Sequence, residues 1–216
     1  MQKPLDRHLA FFNLQQALQE NQGCCVCSLQ RKWTDGFIES ILNESVTDKF
    51  FRLRLSRTEG FCQTHAWRIA ACNSPLGSAI LFNDTLTRAV ASMKNTKIAE
   101  NKRLQECLLC QNEKEAESRY ISVLAASLGE PDFLSIFERS SGLCIPHLKI
   151  ALANTGKKNK IVLMNLHREK FTMLAETMQR YIDKFDYSNR GAEMNEEEKA
   201  SWKKAIAVLV KQEGII

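Results

Sequence analysis

The hexapeptide Gly60-Phe61-Cys62-Gln63-Thr64-His65 returns later in the same chain as Gly142-Leu143-Cys144-Ile145-Pro146-His147. A Cys-x-x-Cys pair precedes each copy, Cys24 with Cys27 and then Cys107 with Cys110. Cys24 and Cys107 are 83 positions apart, Cys62 and Cys144 are 82, so one unit occurs twice with a single-residue slip. Three cysteines and one histidine per copy make the donor set of a tetrahedral metal ion. The 34 residues between Cys27 and Cys62 are far more than a zinc-finger linker. A site built on this pattern therefore has to clamp helical segments rather than a small loop. The natural expectation is that each copy closes its own site: Cys24, Cys27, Cys62 and His65 together, and Cys107, Cys110, Cys144 and His147 together.

An even count of eight cysteines also suits a disulfide framework, but disulfides do not need the two matching histidines. In a reducing compartment the pattern reads as metal binding. No secretory signal is visible, since Met1 to Glu20 carries charges and glutamines where an apolar run should lie. No apolar stretch approaches the roughly 18 residues of a membrane span. The expectation is a cytoplasmic protein with no membrane partner. A formal charge of +5 and pI near 8.8 are only mildly basic. Three thiolates on a divalent ion remove about one unit of charge per site, which weakens any case for nucleic acid.

The apolar spacing predicts helices throughout. Leu5, Leu9 and Phe12, with the stretch Gln16 to Leu18, mark the first, which Gly23 stops just before Cys24. Trp33, Phe37, Ile38 and Ile41 mark a second over Leu29 to Leu42, followed by a turn and a short helix from Lys49 to Ser56. Cys62 and His65 share one face of a first helical turn, where the positive helix end favours a thiolate. Ser74-Pro75 starts a helix with Leu76, Ala79, Ile80, Leu86, Val90 and Met93 on one stripe, running on through Ile98 to Leu104. In the second copy Tyr120, Ile121 and Leu124 replace Phe37, Ile38 and Ile41. Asn154 to Lys160 reads as a loop. Met164, Phe171, Leu174, Met178, Tyr181 and Phe185 mark a long helix, and Asp186 to Met194 a linker. Asn195 with Glu198 begins a last helix with Trp202, Ala205, Ile206 and Leu209 inside. No stretch alternates with period two. The fold class expected is all-α: one helical domain over 1–216, with pseudo-repeats at about 24–106 and 107–186 and a C-terminal helix at about 195–211.

Of the remaining candidates, Cys25 reads as a small turn residue, a replacement for Cys24 in the ligand set or a resolving thiol for it, and Cys72 as core. His8 and His167 lie on helices, and His167, on the stripe of Leu174 and Tyr181, reads as a packed or half-exposed residue rather than a ligand. Arg52, Arg54 and Arg57 suit hydrogen bonds to an anionic site, phosphate contacts or a solvated face. There is no His-Glu-x-x-His, no nucleophile elbow and no acid–base pair, so no residue is a candidate for catalysis.

The doubled Cys-x-x-Cys … Gly-Phe/Leu-Cys-x-x-His plan resembles that of an uncharacterised bacterial family of unknown function. The resemblance spans Cys24 to His147 and implies metal binding and a cytoplasmic location. The reading favoured by the residues is a non-catalytic protein with two structural zinc ions per chain that presents a surface to another protein. Two alternatives remain open at this point. One is a thiol–zinc redox sensor or an iron–sulfur electron carrier. The other is a nucleic-acid binder using Arg52, Arg54, Arg57 and the lysines at 157–160.

Overall fold

A computed structural model describes residues 4–94, 97–98, 106–186, 193–212 and 215, with side chains from residue 9 onward except at 94, 97 and 98. The all-α expectation holds. Among the described residues there are ten α-helices: α1 (Pro4–Glu20), α2 (Cys25–Ser40), α3 (Lys49–Arg57), α4 (Gln63–Ala70), α5 (Pro75–Ser92), α6 (Leu108–Ser127), α7 (Pro131–Arg139), α8 (Ile145–Ala153), α9 (Lys157–Asp183) and α10 (Glu196–Val210). A π-helical turn over Ile41–Ser45 extends α2. The expected continuation of α5 fails, because its last turn leads into a two-residue antiparallel pairing of Met93 with Ile98 and Lys94 with Lys97. The rest of that continuation, 99–105, lies outside the described residues, as do most of the expected linker (187–192) and the side chains of Leu5 and His8.

The chain divides into two compact units, and the division falls inside α2 and inside α6. One unit is the contiguous stretch Arg31–Ala116. Its core gathers Ile38, Ile41 and Leu42 with Phe51, Leu55, Phe61, Ile69 and Leu81, and Cys107 to Cys110 belong to the same cluster. Each such side chain contributes about 1.5–3 kcal/mol when fully buried. Asp48 caps α3 by accepting the Phe50 N–H at 2.9 Å, a favoured N-cap arrangement.

The other unit joins Met1–Gln30 to Glu117–Ile215. Leu14, Leu18 and Val26 are buried there with Ile121, Leu124, Phe133, Phe137 and Leu163. The Phe11 and Phe133 rings meet at 5.6 Å. Lys170 of α9 donates to the backbone carbonyls of Glu138 and Ser140, satisfying the end of α7. Asn195 and Glu198 form the expected capping box at the start of α10.

Several helices turn a different face inward from the one their large apolar residues suggest. On α1, Leu9 and Phe12 are exposed while Ala10, Leu14, Ala17 and Leu18 are buried. On α5, Leu76, Leu86, Val90 and Met93 are exposed and Gly77 and Leu81 face in. On α10, Trp202, Ile206 and Leu209 are exposed, and Glu198 and Ser201 are buried. Leu14, Leu18 and Leu81 are buried together with small or polar residues such as Ala10, Ala17, Gly77 and Ser201, while other large apolar residues of the same helices stay on the surface. The lysines at 157–160, expected in a loop, form the first turn of α9.

Candidate metal centres

All four ligand motifs begin helices. Cys62 and Cys144 are the N-caps of α4 and α8, in extended backbone, which puts His65 and His147 at the third helical position. Cys24 and Cys107 directly precede α2 and α6, and their carbonyls accept from Ser28 N–H at 3.1 Å and Gln111 N–H at 3.0 Å. An N-cap and the third residue of the same helix lie on one face, so each motif aims two donor atoms at one point. It aims the positive end of a helix there as well. Gly60 and Gly142, two residues ahead of each Cys-x-x-His, have φ of +86° and +74°, a region open mainly to glycine.

Two groups of four donors result, each with its ligand atoms within 4.8 Å of one another. They do not pair as the repeat suggests. Cys24 and Cys27 join Cys144 and His147, and Cys62 and His65 join Cys107 and Cys110. The expectation of a site within each copy is therefore wrong: each centre takes its Cys-x-x-Cys from one copy and its Cys-x-x-His from the other. The physical reason lies in where α4 docks. Arg68 on α4 donates to Asp35 Oδ1 at 2.8 Å and to the Arg31 carbonyl at 2.9 Å. These acceptors lie in the same compact unit as α4, as do Cys107 and Cys110, whereas Cys24 and Cys27 belong to the other unit.

In the unit Arg31–Ala116, His65 Nδ1 lies 3.2, 3.7 and 3.5 Å from the sulfurs of Cys62, Cys107 and Cys110. Cys62 Sγ and Cys110 Sγ are 3.7 Å apart. In the other unit His147 Nδ1 lies 3.3, 3.4 and 3.2 Å from Cys24, Cys27 and Cys144, and the Cys27 and Cys144 sulfurs are 3.8 Å apart. Metal–sulfur bonds of about 2.3 Å in a tetrahedron imply sulfur–sulfur edges of about 3.8 Å. The donors thus fit a single tetrahedral ion in each group. Every ligand is buried except Cys62, which is partly exposed.

The outer nitrogen of each histidine meets a carboxylate on α6. His147 Nε2 lies 2.9 Å from Glu117 Oε1. His65 Nε2 lies 3.2 Å from Glu113 Oε1, near enough for an ion pair but off the line of a good hydrogen bond. Such partners fix the ring orientation of a ligating histidine. Each carboxylate is met in turn by a cation: Arg68 Nη1 at 3.1 Å from Glu113 Oε1, and Lys211 Nζ at 3.0 Å from Glu117 Oε1. The repeat sets Gln30 and Thr34 of α2 in register with Glu113 and Glu117, so α6 carries both carboxylates.

Electrostatics within the groups favours charge separation. Burial disfavours a charged His65, yet Cys107, Glu113 and Cys62 raise it to about 10; burial is likewise outweighed at His147, raised to about 11 by Cys144, Cys24 and Glu117. Burial pushes Cys107 up, but hydrogen bonds from His65 and nearby backbone N–H groups bring it to about 6. Cys24 falls well below the ordinary thiol value despite burial, through contacts with Cys144, Cys27 and His147. Cys110 is raised, by burial and the Cys107 charge. A divalent ion bound here would displace protons from such groups, as metal binding to thiols generally does.

Sequence reasoning missed His167 as part of this region. It is buried, accepts the Leu143 N–H on Nε2 at 2.9 Å, and donates from Nδ1 to the Leu163 carbonyl at 2.7 Å. It therefore holds the residue just before Cys144, although it is not itself among the ligands. Of the arginines expected near the site, Arg52 is held instead by Asp84 through Nε and Nη2. Arg68 is the guanidinium that reaches a centre. Cys25 is buried, with its thiol raised by burial and by Cys24. Cys72, expected in the core, is exposed.

No helix among the described residues is long and apolar enough to cross a membrane. No solved structure matches the chain. A relative described as an "uncharacterized 23.9 kDa protein in xynA 3′ region", from Caldicellulosiruptor sp. (strain Rt8B.4), is 27% identical over 189 residues, covering 85% of this chain and 92% of the relative. A family model described as a family of unknown function, DUF6062, matches residues 5–213, and the chain belongs to that family.

Proposed function

We propose that the two groups are closed structural zinc centres and that the protein is a non-catalytic, zinc-stabilised helical scaffold that presents a surface to another protein. The observation that carries this reading is the convergence of four protein donors, three sulfurs and one nitrogen, within 4.8 Å in each group. Four protein ligands complete a tetrahedron and leave no position for a reacting water, which separates structural from catalytic zinc. Donors so close enclose one ion rather than a cluster of several irons and sulfides, which speaks for zinc over an iron–sulfur centre. When bound, the ion supplies folding free energy, about 10–16 kcal/mol for structural zinc in small peptides. Its four donors come from two helix starts that packing alone would otherwise hold together.

The interaction half of the reading is supported by α5, where Leu76, Leu86 and Val90 are exposed, with exposed Met93 directly after the helix. Exposed large apolar side chains gathered on one element are a feature of interaction sites. The redox reading loses its resolving thiol to burial at Cys25, and the nucleic-acid reading loses Arg52 to Asp84. Elemental analysis of freshly purified protein tests the proposal directly. About two zinc ions per colourless chain are expected, with a lower melting temperature after chelation. Iron with sulfide and a brown colour would reject it.

A further inference from the structure

We propose that Lys211 is a positioning residue of the centre formed by Cys24, Cys27, Cys144 and His147, holding His147 through Glu117, while Gln212 fixes the turn that delivers Cys24. The inference rests on the metal-binding reading above. It begins from a difference between the two centres. At the His65 centre the cation behind the carboxylate is Arg68, three residues after the histidine on the same helix. At the corresponding place after His147 stands Ile150, which has nothing to donate. The cation facing Glu117 comes from a distant part of the chain, the residue that follows α10.

The backbone there is shaped to deliver it. Lys211 has φ of +74°, an uncommon conformation for a residue with a side chain. Lys211 and Glu117 are only 16% and 17% exposed, so their attraction is screened less than that of a surface pair. The next residue makes a second tie, since Gln212 Nε2 donates to the Gln22 carbonyl at 2.8 Å. A Cβ on Gly23 would lie 2.7 Å from that same nitrogen. Glycine directly before Cys24 leaves room for Gln212, and the segment after α10 thus reaches Glu117 behind His147 and Gln22 ahead of Cys24. Charge gives the contact its purpose. A divalent ion with three thiolates carries about one negative charge, and Glu117 adds another. Lys211 offsets part of this and fixes the carboxylate that orients the imidazole.

The test uses zinc-loaded full-length chain, titrated with EDTA and pulsed with N-ethylmaleimide, with each cysteine's modification read by peptide mass spectrometry. Exposed Cys72 serves as the internal standard. Lys211→Met keeps the aliphatic stem and removes only the charge. It should make Cys24, Cys27 and Cys144 reactive at chelator concentrations about 10–100-fold lower, the usual effect of losing an outer-shell partner. Cys62, Cys107 and Cys110 should keep the wild-type profile, and Lys211→Arg should restore the first three. An unchanged profile, or an equal shift in both sets of cysteines with loss of helicity, overturns the proposal. Gln212→Ala gives a second reading without touching the charge, and it should shift the same three cysteines alone. A wild-type chain that loads no zinc overturns the metal reading together with this one; two bound ions with a silent Lys211→Met overturns only this one.

Discussion

Gly142 and His167 show how tightly single residues are specified around the second Cys-x-x-His. A Cβ on residue 142 would lie 2.9 Å from His167 Nε2, the atom that accepts the Leu143 N–H. Alanine at 142 would therefore push the ring off its hydrogen bond, and its φ of +74° costs about 1–2 kcal/mol in the backbone alone. Gly142→Ala is expected to lower stability in urea unfolding by at least that amount. His167→Ala should lose about 1–3 kcal/mol, because the buried Leu143 N–H is left without an acceptor. If either variant unfolds at the wild-type midpoint, the ring is not what holds Leu143. Which eight Cys and His residues gather into groups was legible at this scale, since that spacing has few other uses. His167 was not, because a histidine on an amphipathic stripe has the same pattern whether it packs passively or holds a backbone N–H 24 residues away.

At the scale of elements, α10 was readable at its start and misleading along its length. Asn195 accepts the Glu198 N–H at 2.8 Å, and Glu198 accepts the Asn195 N–H at 3.0 Å, as Asn-x-x-Glu predicts. Asn195→Ala is expected to cost about 1 kcal/mol, measured by urea unfolding. Glu198 also receives Lys184 Nζ at 2.6 Å, and these contacts hold its carboxyl below the usual range, Lys184 contributing most. A carboxylate depressed in the folded state stabilises above its unfolded pKa, about 4.3, and that contribution disappears as pH falls through the folded value. Wild type should exceed Glu198→Gln in stability near pH 7, with the gap closing as pH drops below about 4. A gap that is constant with pH would mean the contact is not ionic. The inward face of α10 escaped sequence reading because large apolar residues dominate a periodicity count. The inward face is made by Ser201 and by a Glu198 ion-paired to Lys184, leaving Trp202 and Leu209 outside. The same inversion on α5 has the same cause.

For the whole molecule, the repeat announces two centres but not how they are wired. A duplicated unit satisfies the same donor count whether each copy closes on itself or exchanges halves with the other, so spacing alone cannot distinguish them. The choice follows the packing of each unit: Arg68 anchors α4 on Arg31 and Asp35, and Cys107 to Cys110 share the core of Ile38, Phe51 and Leu81 in that same unit. The exchange has a measurable signature. Cys62→Ala should cost one zinc and make Cys107 and Cys110 reactive toward N-ethylmaleimide, with Cys24, Cys27 and Cys144 still protected. Cys27→Ala should do the reverse, exposing Cys144 and sparing Cys62. Closure within each copy demands the opposite pairing, in which Cys62→Ala uncovers Cys24 and Cys27. The two losses should also differ in weight. The centre with His147 ties Cys27 to Cys144 across 117 residues, and the one with His65 ties Cys107 to His65 across 42. By loop-closure entropy the longer tie costs about 1 kcal/mol more to form without metal. Cys27→Ala should consequently slow refolding more than Cys62→Ala, and equal refolding rates would show that the long loop is closed by packing before the metal binds.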